Sequence, residues 1–254
     1  MGLRCVISPA KKMVTDDCAP YPRGTACLMD RTRVLLEALR RLSRDEAQAL
    51  WKCSDKLAEL NYERLEHMDL DEASTSAVVA YEGIQYQHIA AQVMDERELA
   101  WLGSHLRILS GFYGVLRPFD AVVAYRLEMQ AKLVVGGAQD LYAFWSTALA
   151  DALLAEGCDA LVNLASVEYA KAVVPHAREA GIAVLTCLFG SLRKSDGRFT
   201  QRATEAKAAR GTFVRWCAER EVSSFEDLQS FDERGYRLDE TRSDADTLVF
   251  VSHQ

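Results

Sequence analysis

The sequence predicts a mixed α/β fold, a single compact domain over residues 1–254 with a mixed sheet and surrounding helices. Three observations carry that expectation. Short apolar runs of strand type stand at Leu3–Ile7, at Ala160–Val162 and within GIAVLTCLFG, residues 181–190. Windows with apolar residues at helical spacing separate these runs. No internal repeat, low-complexity tract or linker rich in Gly, Ser or Pro divides a chain long enough for one large core. Strands and helices do not alternate with the regularity of a doubly wound fold.

The elements follow in order. Leu3–Ile7 is a β-like run that Ser8 and Pro9 end, because proline cannot continue a central strand. Pro20, Pro22 and Gly24 mark a loop up to about residue 30. From Asp30 to Leu42 the apolar positions Val34, Leu35, Ala38, Leu39 and Leu42 keep helical spacing. Ser43 with Glu46 three residues on reads as a capping box, and a further helix starts at Ser54 or Asp55. Ala77–Tyr81 reads as a strand, broken at Gly83 and followed by a short helix. Residues 95–111 open with acidic side chains, as a helix dipole prefers, and continue amphipathically. LSGFYGVLRP, residues 109–118, interrupts that pattern with a glycine-flanked aromatic hairpin. Residues 140–157 read as one strong helix with Gly157 as its C-cap. DALVNLASVEYAKAV, residues 159–173, is a buried strand running through a turn into a helix. After the strand at 181–190 come a turn at Asp196–Gly197, a helix, and a terminal strand pair within residues 231–252.

Composition narrows the function classes. Hydrophobic residues make up 49% and charged residues 26%, ordinary for a soluble globular protein. No apolar run approaches the roughly 18 residues that span a bilayer. The N-terminus lacks an apolar stretch of signal type, and Val6 stands where myristoylation needs Ser or Thr. A cytoplasmic protein with no membrane partner is expected. Seven cysteines without a CxxC pair are expected to be reduced thiols. Five scattered histidines give no zinc pattern, so no metal site is expected. Neither GxGxxG after a strand nor GxxxxGK[ST] occurs, and no cofactor is expected. A net charge of −7 weighs against a surface basic all over but leaves room for a local basic cleft.

Several stretches carry candidate chemistry, each with a plainer alternative. In the hairpin, Gly111 and Gly114 either permit a tight turn around core aromatics or arrange backbone N–H groups as a phosphate cradle, with Arg117 beside it. In AYRLEM, Arg126 and Glu128 fall on one side of an extended chain, as an internal ion pair or as an arginine oriented for an anion. In NLASVEYAK, Asn163, Ser166, Glu168, Tyr169 and Lys171 follow a buried strand, where α/β sheets place ligands; helix capping by Ser166 is the alternative. Ser8, Lys11 and Lys12 follow the first strand in the same way. Lys207 and Arg210 share a helix face, either solvated or turned toward the SPAKK loop. The anion-binding candidates are thus Ser8, Lys11, Lys12, Gly111, Gly114, Arg117, Arg126, Lys207 and Arg210. The polar-cleft candidates are Glu128, Asn163, Ser166, Glu168, Tyr169 and Lys171.

ISPAKKM, SDKLAELN, LRILSGFYGVLRPFDAVVAYRLEM, DLYAFW, LVNLASVEY and AKAARG occur in this order, and FDERGYRLDE near the end completes the set. The chain resembles the YaaA family of bacterial peroxide stress proteins over essentially its whole length. The resemblance implies a cytoplasmic protein of the oxidative stress response, one that limits peroxide damage to DNA and protein, in part by restraining unincorporated iron. It implies a single α/β domain of unusual topology with a helix–hairpin–helix-like element, matched here by residues 109–118. It also implies duplex or branched DNA as partner, bound at a positively charged cleft with little sequence specificity. It carries no enzymatic activity across. Two functions therefore compete: a DNA-binding stress protein, or an enzyme acting on a small anionic or nucleobase-like substrate in the same polar cleft.

Overall fold

In the computed structural model, which describes residues 2–16 and 18–252, a central sheet forms around the first strand. β1 (Leu3–Ile7) hydrogen-bonds in parallel to β2 (Leu106–Ser110) on one side and to β4 (Ala160–Asn163) on the other. β3 (Gly114–Leu116) turns back antiparallel against β2. On the far side β5 (Ala183–Leu192) joins β4 in parallel. β6 (Phe199–Thr200) pairs antiparallel with β5, and β8 (Thr247–Ser252) pairs with it in parallel, with β7 (Tyr236–Leu238) antiparallel at the edge. The order is β7-β8-β5-β4-β1-β2-β3. Leu3, Cys5, Val6 and Ile7 have no solvent exposure, as a parallel strand covered on both faces requires.

Helices pack around this sheet: α1 (Met29–Arg40), α2 (Arg44–Trp51), α3 (Asp55–Glu66), α4 (Ala77–Ala80), α5 (Ile84–Ile89), α6 (Glu96–His105), α7 (Leu141–Trp145), α8 (Ala148–Ala155), α9 (Val167–Glu179) and α10 (Ala203–Glu219). The capping box expected at α2 is present: Glu46 N donates to Ser43 Oγ, and Ser43 N donates to Glu46 Oε2 at 2.8 Å. The mixed sheet, the surrounding helices and the terminal strand pair agree with the sequence reading.

Three local expectations are corrected. Residues 77–80 are a helical turn, not a strand; all four are buried, and an apolar run buried on every side carries no period that separates the two. The helix expected over 140–157 is broken between α7 and α8 at Ser146, where φ is +45°. The hairpin at 109–118 is two strands of the main sheet, not a helix–hairpin–helix element. Its glycines serve packing. A Cβ on Gly111 would lie 2.6 Å from the Leu127 carbonyl oxygen. Gly114 has φ +76°, and a Cβ there would meet Leu28 and Trp145 at 2.9 Å. The turn's N–H groups are not free for a phosphate: Phe112 and Tyr113 both donate to the buried Ser110 Oγ, at 3.1 and 2.8 Å.

The strand order also says where a crevice opens. The chain leaves β1 toward β2 and leaves β4 toward β5, in opposite directions, although β1 and β4 are neighbours. Connections that diverge in this way leave a gap beyond the carboxyl ends of the two strands, the usual ligand position of open α/β sheets.

Candidate functional site

A cleft of about 520 Å³ occupies that position, within the range of small-ligand sites. Its floor is a serine pair. Ser8, directly after β1, donates from Oγ to Ser166 Oγ at 3.1 Å and accepts from Ser166 N at 2.8 Å. This ties the N-cap of α9 to the end of β1. Asn163 sits one step behind: it accepts from Ala165 N and donates to Thr186 Oγ1 at 3.3 Å, holding the turn in shape without lining the cleft.

Residues 125–129 form no strand, yet the alternation expected of them holds. Tyr125 and Leu127 are buried, while Arg126 and Glu128 both reach the cleft. Glu128 is the hub of its charges, meeting Lys11 Nζ at 2.8 Å and Arg126 at 3.4 Å. The Arg126 side chain is only 10% exposed, and its Nε has no hydrogen-bond partner. Lys12 pairs with Glu82 at 2.8 Å on the rim. Glu168 accepts from Gln130 N at 3.1 Å, and burial pushes its carboxyl above the ordinary glutamate range.

The opposite wall is made by α5 and α10, which touch at Gly211. A Cβ at this glycine would fall 2.2 Å from the Gln85 carbonyl oxygen, so only glycine lets the helices approach this closely. The contact brings Gln85 and Tyr86 of α5 beside Lys207 and Arg210 of α10. Among the described residues Arg210 has no carboxylate partner and its buried Nε no acceptor, and burial lowers its pKa from the ordinary guanidinium value. Gln85 is 6% exposed, and its Nε2 has no partner among the described residues. Tyr86 donates to the Ser8 carbonyl oxygen at 2.9 Å, closing the ring of contacts. Tyr125 hydrogen-bonds Tyr81 and Ser110 through its hydroxyl, and burial raises its pKa to about 12.

The structure therefore gathers Ser8, Lys11, Lys12, Arg126, Glu128, Ser166, Glu168, Tyr169, Lys207 and Arg210 at one cleft. It leaves out five other candidates. Gly111 and Gly114 are core positions, and Asn163 lies behind the turn. Lys171 stacks its ammonium on the Tyr142 ring at 4.6 Å. Arg117 lies beyond Leu116, level with Arg107 at the amino end of β2, and pairs with Glu156 at 2.8 Å. That is the end of the sheet away from the cleft. Gln85, Tyr86 and Glu82 join the site although no motif marks them; Gln85 could be found only by asking which buried amide lacks a partner. Among the described residues, no three His, Cys, Asp or Glu side chains converge as metal ligands. None of the described helices is long and apolar enough to cross a membrane.

Fold and site define a mixed α/β protein with a cleft rich in cationic side chains at a topological switch point. Residues 3–242 match the family described as peroxide stress protein YaaA. The chain belongs to this family of peroxide stress proteins. A UPF0246 protein of Pediococcus pentosaceus is 44% identical over 252 residues, 99% of this chain and 99% of its own. A UPF0246 protein of Lactiplantibacillus plantarum is 43% identical over 98% of this chain and 99% of its own. One from Lachnoclostridium phytofermentans is 42% identical over 98% and 96%.

Proposed function

We propose that the cleft binds phosphate and that, within the peroxide-stress role of the family, the phosphate is that of DNA, held with low sequence specificity. One observation supports this most: among the described residues, Lys207 and Arg210 stand at the cleft without a carboxylate partner, and Arg210 is partly buried. A partly desolvated charge without a counter-ion is unfavourable, a cost an anionic ligand would offset. Protection of DNA from peroxide, with restraint of unincorporated iron, is the cellular consequence of the proposal. The hairpin plays no part in it, because its donors are internally satisfied.

Titration of labelled duplex at several salt concentrations tests the reading. Affinity should fall steeply with salt, and scrambling the sequence should change little. Arg210→Ala should weaken all sequences alike and flatten the log–log salt slope by roughly one unit. Arg117→Ala, outside the cleft, should leave binding unchanged. A folded wild type that ignores duplex at low salt, or an Arg210→Ala variant that binds as well as wild type, would sink the reading. For the iron arm, chelatable iron in peroxide-treated cells should rise when wild type is replaced by Arg210→Ala; equal levels would detach iron from the cleft.

The second reading, an enzyme on a small anionic or nucleobase-like substrate, draws on Glu168. Its raised pKa beside the Ser8–Ser166 pair suits proton transfer. It requires a turnover that Glu168→Gln abolishes without loss of binding.

A further inference from the structure

We infer that the cleft seats one nucleoside monophosphate unit, its phosphate on Lys207 and Arg210 and its base against the tyrosine-lined wall. This rests on the phosphate reading above and goes beyond it by naming the body that carries the phosphate.

Charge supplies the first argument. Lys11 and Arg126 are both engaged by Glu128, and Lys12 by Glu82. Lys207 and Arg210 are the lining cations left without a carboxylate among the described residues. Two unopposed positive charges match a terminal phosphate, which carries about −1.5 to −2 near neutrality, better than one backbone diester. Guanidinium and ammonium together also suit its several acceptor oxygens.

The rest of the lining supplies the second argument. Simple backbone contact needs only exposed cations. Here Ile84 and Leu127 stand beside Tyr86, Tyr125 and Tyr169, and all three tyrosines are nine-tenths buried or more. A wall of rings and aliphatic groups next to a cationic end fits a ligand with a planar apolar body and an anionic head. The cleft volume, about 520 Å³, leaves room for such a ligand.

Gln85 is the third argument. A carboxamide offers one donor and one acceptor group, the complement of a base edge. Its Nε2 is buried without a partner, a loss a native fold rarely tolerates unless something supplies the acceptor. Gln85 neighbours Arg210 across the α5–α10 contact, so both ends of one nucleotide could be met from one wall.

The unit has two sources, a free mononucleotide or the phosphorylated end of a strand, and calorimetry on the full-length protein separates them. Wild type is titrated with nucleoside monophosphates of each base, ribose 5-phosphate, inorganic phosphate, and single strands with and without a 5′-phosphate. At least one nucleoside monophosphate should bind ten-fold or more tighter than ribose 5-phosphate. Arg210→Gln should lose ten-fold or more for that nucleotide. Gln85→Leu should change the ranking among bases while leaving ribose 5-phosphate unaffected, with a cooperative melt confirming that each variant folds. A 5′-phosphate preference of the strand would assign the strand end as source; its absence with tight mononucleotide binding would assign the free nucleotide. Ribose 5-phosphate binding as tightly as every nucleotide would overturn the inference. So would duplex binding that depends on Arg210 while no mononucleotide binds, and the phosphate reading would then stand. Failure of every phosphate ligand, duplex included, would remove both.

Discussion

Arg210 and Asp120 show how single groups bear burial differently. Arg210 keeps its charge at a cleft that a ligand can enter. Asp120 is 3% exposed at the other end of the hairpin, and burial raises its pKa to about 6 although it accepts from Arg117 N at 2.8 Å. The folded chain thus holds a proton that the unfolded chain has already lost between about pH 4 and 6. Asp120 contributes stability that is full below pH 4 and lost as the pH rises through 6, on the order of 3 kcal/mol. Asp120→Asn keeps an acceptor oxygen and removes the charge. It should match wild type near pH 4 and exceed its urea stability at pH 7; no gain at pH 7 would disprove the assignment. Thiols behave in the same direction. Burial pushes Cys5 up to about 12 and Cys158 to about 11, and holds Cys187 and Cys217 well above the ordinary value. Protonated, buried thiols are poor nucleophiles toward peroxide. Native alkylation should label Cys18, Cys27 and Cys53 and spare these four, whereas denaturation without reductant should open all seven. A pair protected after denaturation would contradict this.

Among elements, the α5–α10 contact controls the site most directly. Gly211→Ala must push Gln85 and His88 away, since its Cβ would fall 2.2 and 2.7 Å from their atoms. Overpacking of this kind costs about 1–3 kcal/mol. Stability and phosphate affinity should fall together, because α5 and α10 each supply cleft residues. An unchanged affinity with a lowered melting temperature would show that helix spacing does not set the cleft. What could be read beforehand divides along the same line. The Ser43–Glu46 cap and the Arg126–Glu128 side were legible because each depends on residues a few positions apart. The convergence of Ser8, Ser166, Lys207 and Arg210 was a supposition from polar residues following strands and lying on one helix face. The turn at 77–80 is not legible because complete burial erases periodicity, nor is the hairpin, because glycine spacing is the same in a packed core as in a cradle. Gln85 and Tyr86 sit on a six-residue helix whose pattern says nothing of what lies 125 positions on.

For the whole molecule, the site depends on order rather than on any one part. Net charge is −7, yet the cleft is cationic because opposite connections from β1 and β4 leave a gap that five separate segments fill. The last of these, α10, is also core: Phe213 packs on Phe189 and Phe231 with ring centroids 5.3 and 4.9 Å apart. A chain stopped at Gln201 should therefore give no cooperative melt and no phosphate binding; a folded, binding fragment would refute this dependence.

Timing follows from β1. It leaves the ribosome first, but its two partner strands begin at Leu106 and Ala160, and Arg210 comes later still. At roughly 5–20 residues per second, about 200 residues of synthesis separate Ser8 from Arg210, so this buried strand waits on the order of 10–40 seconds for its finished surroundings. Throughout that interval the apolar face of β1 lacks its native cover, and the cleft is incomplete until α10 has been made.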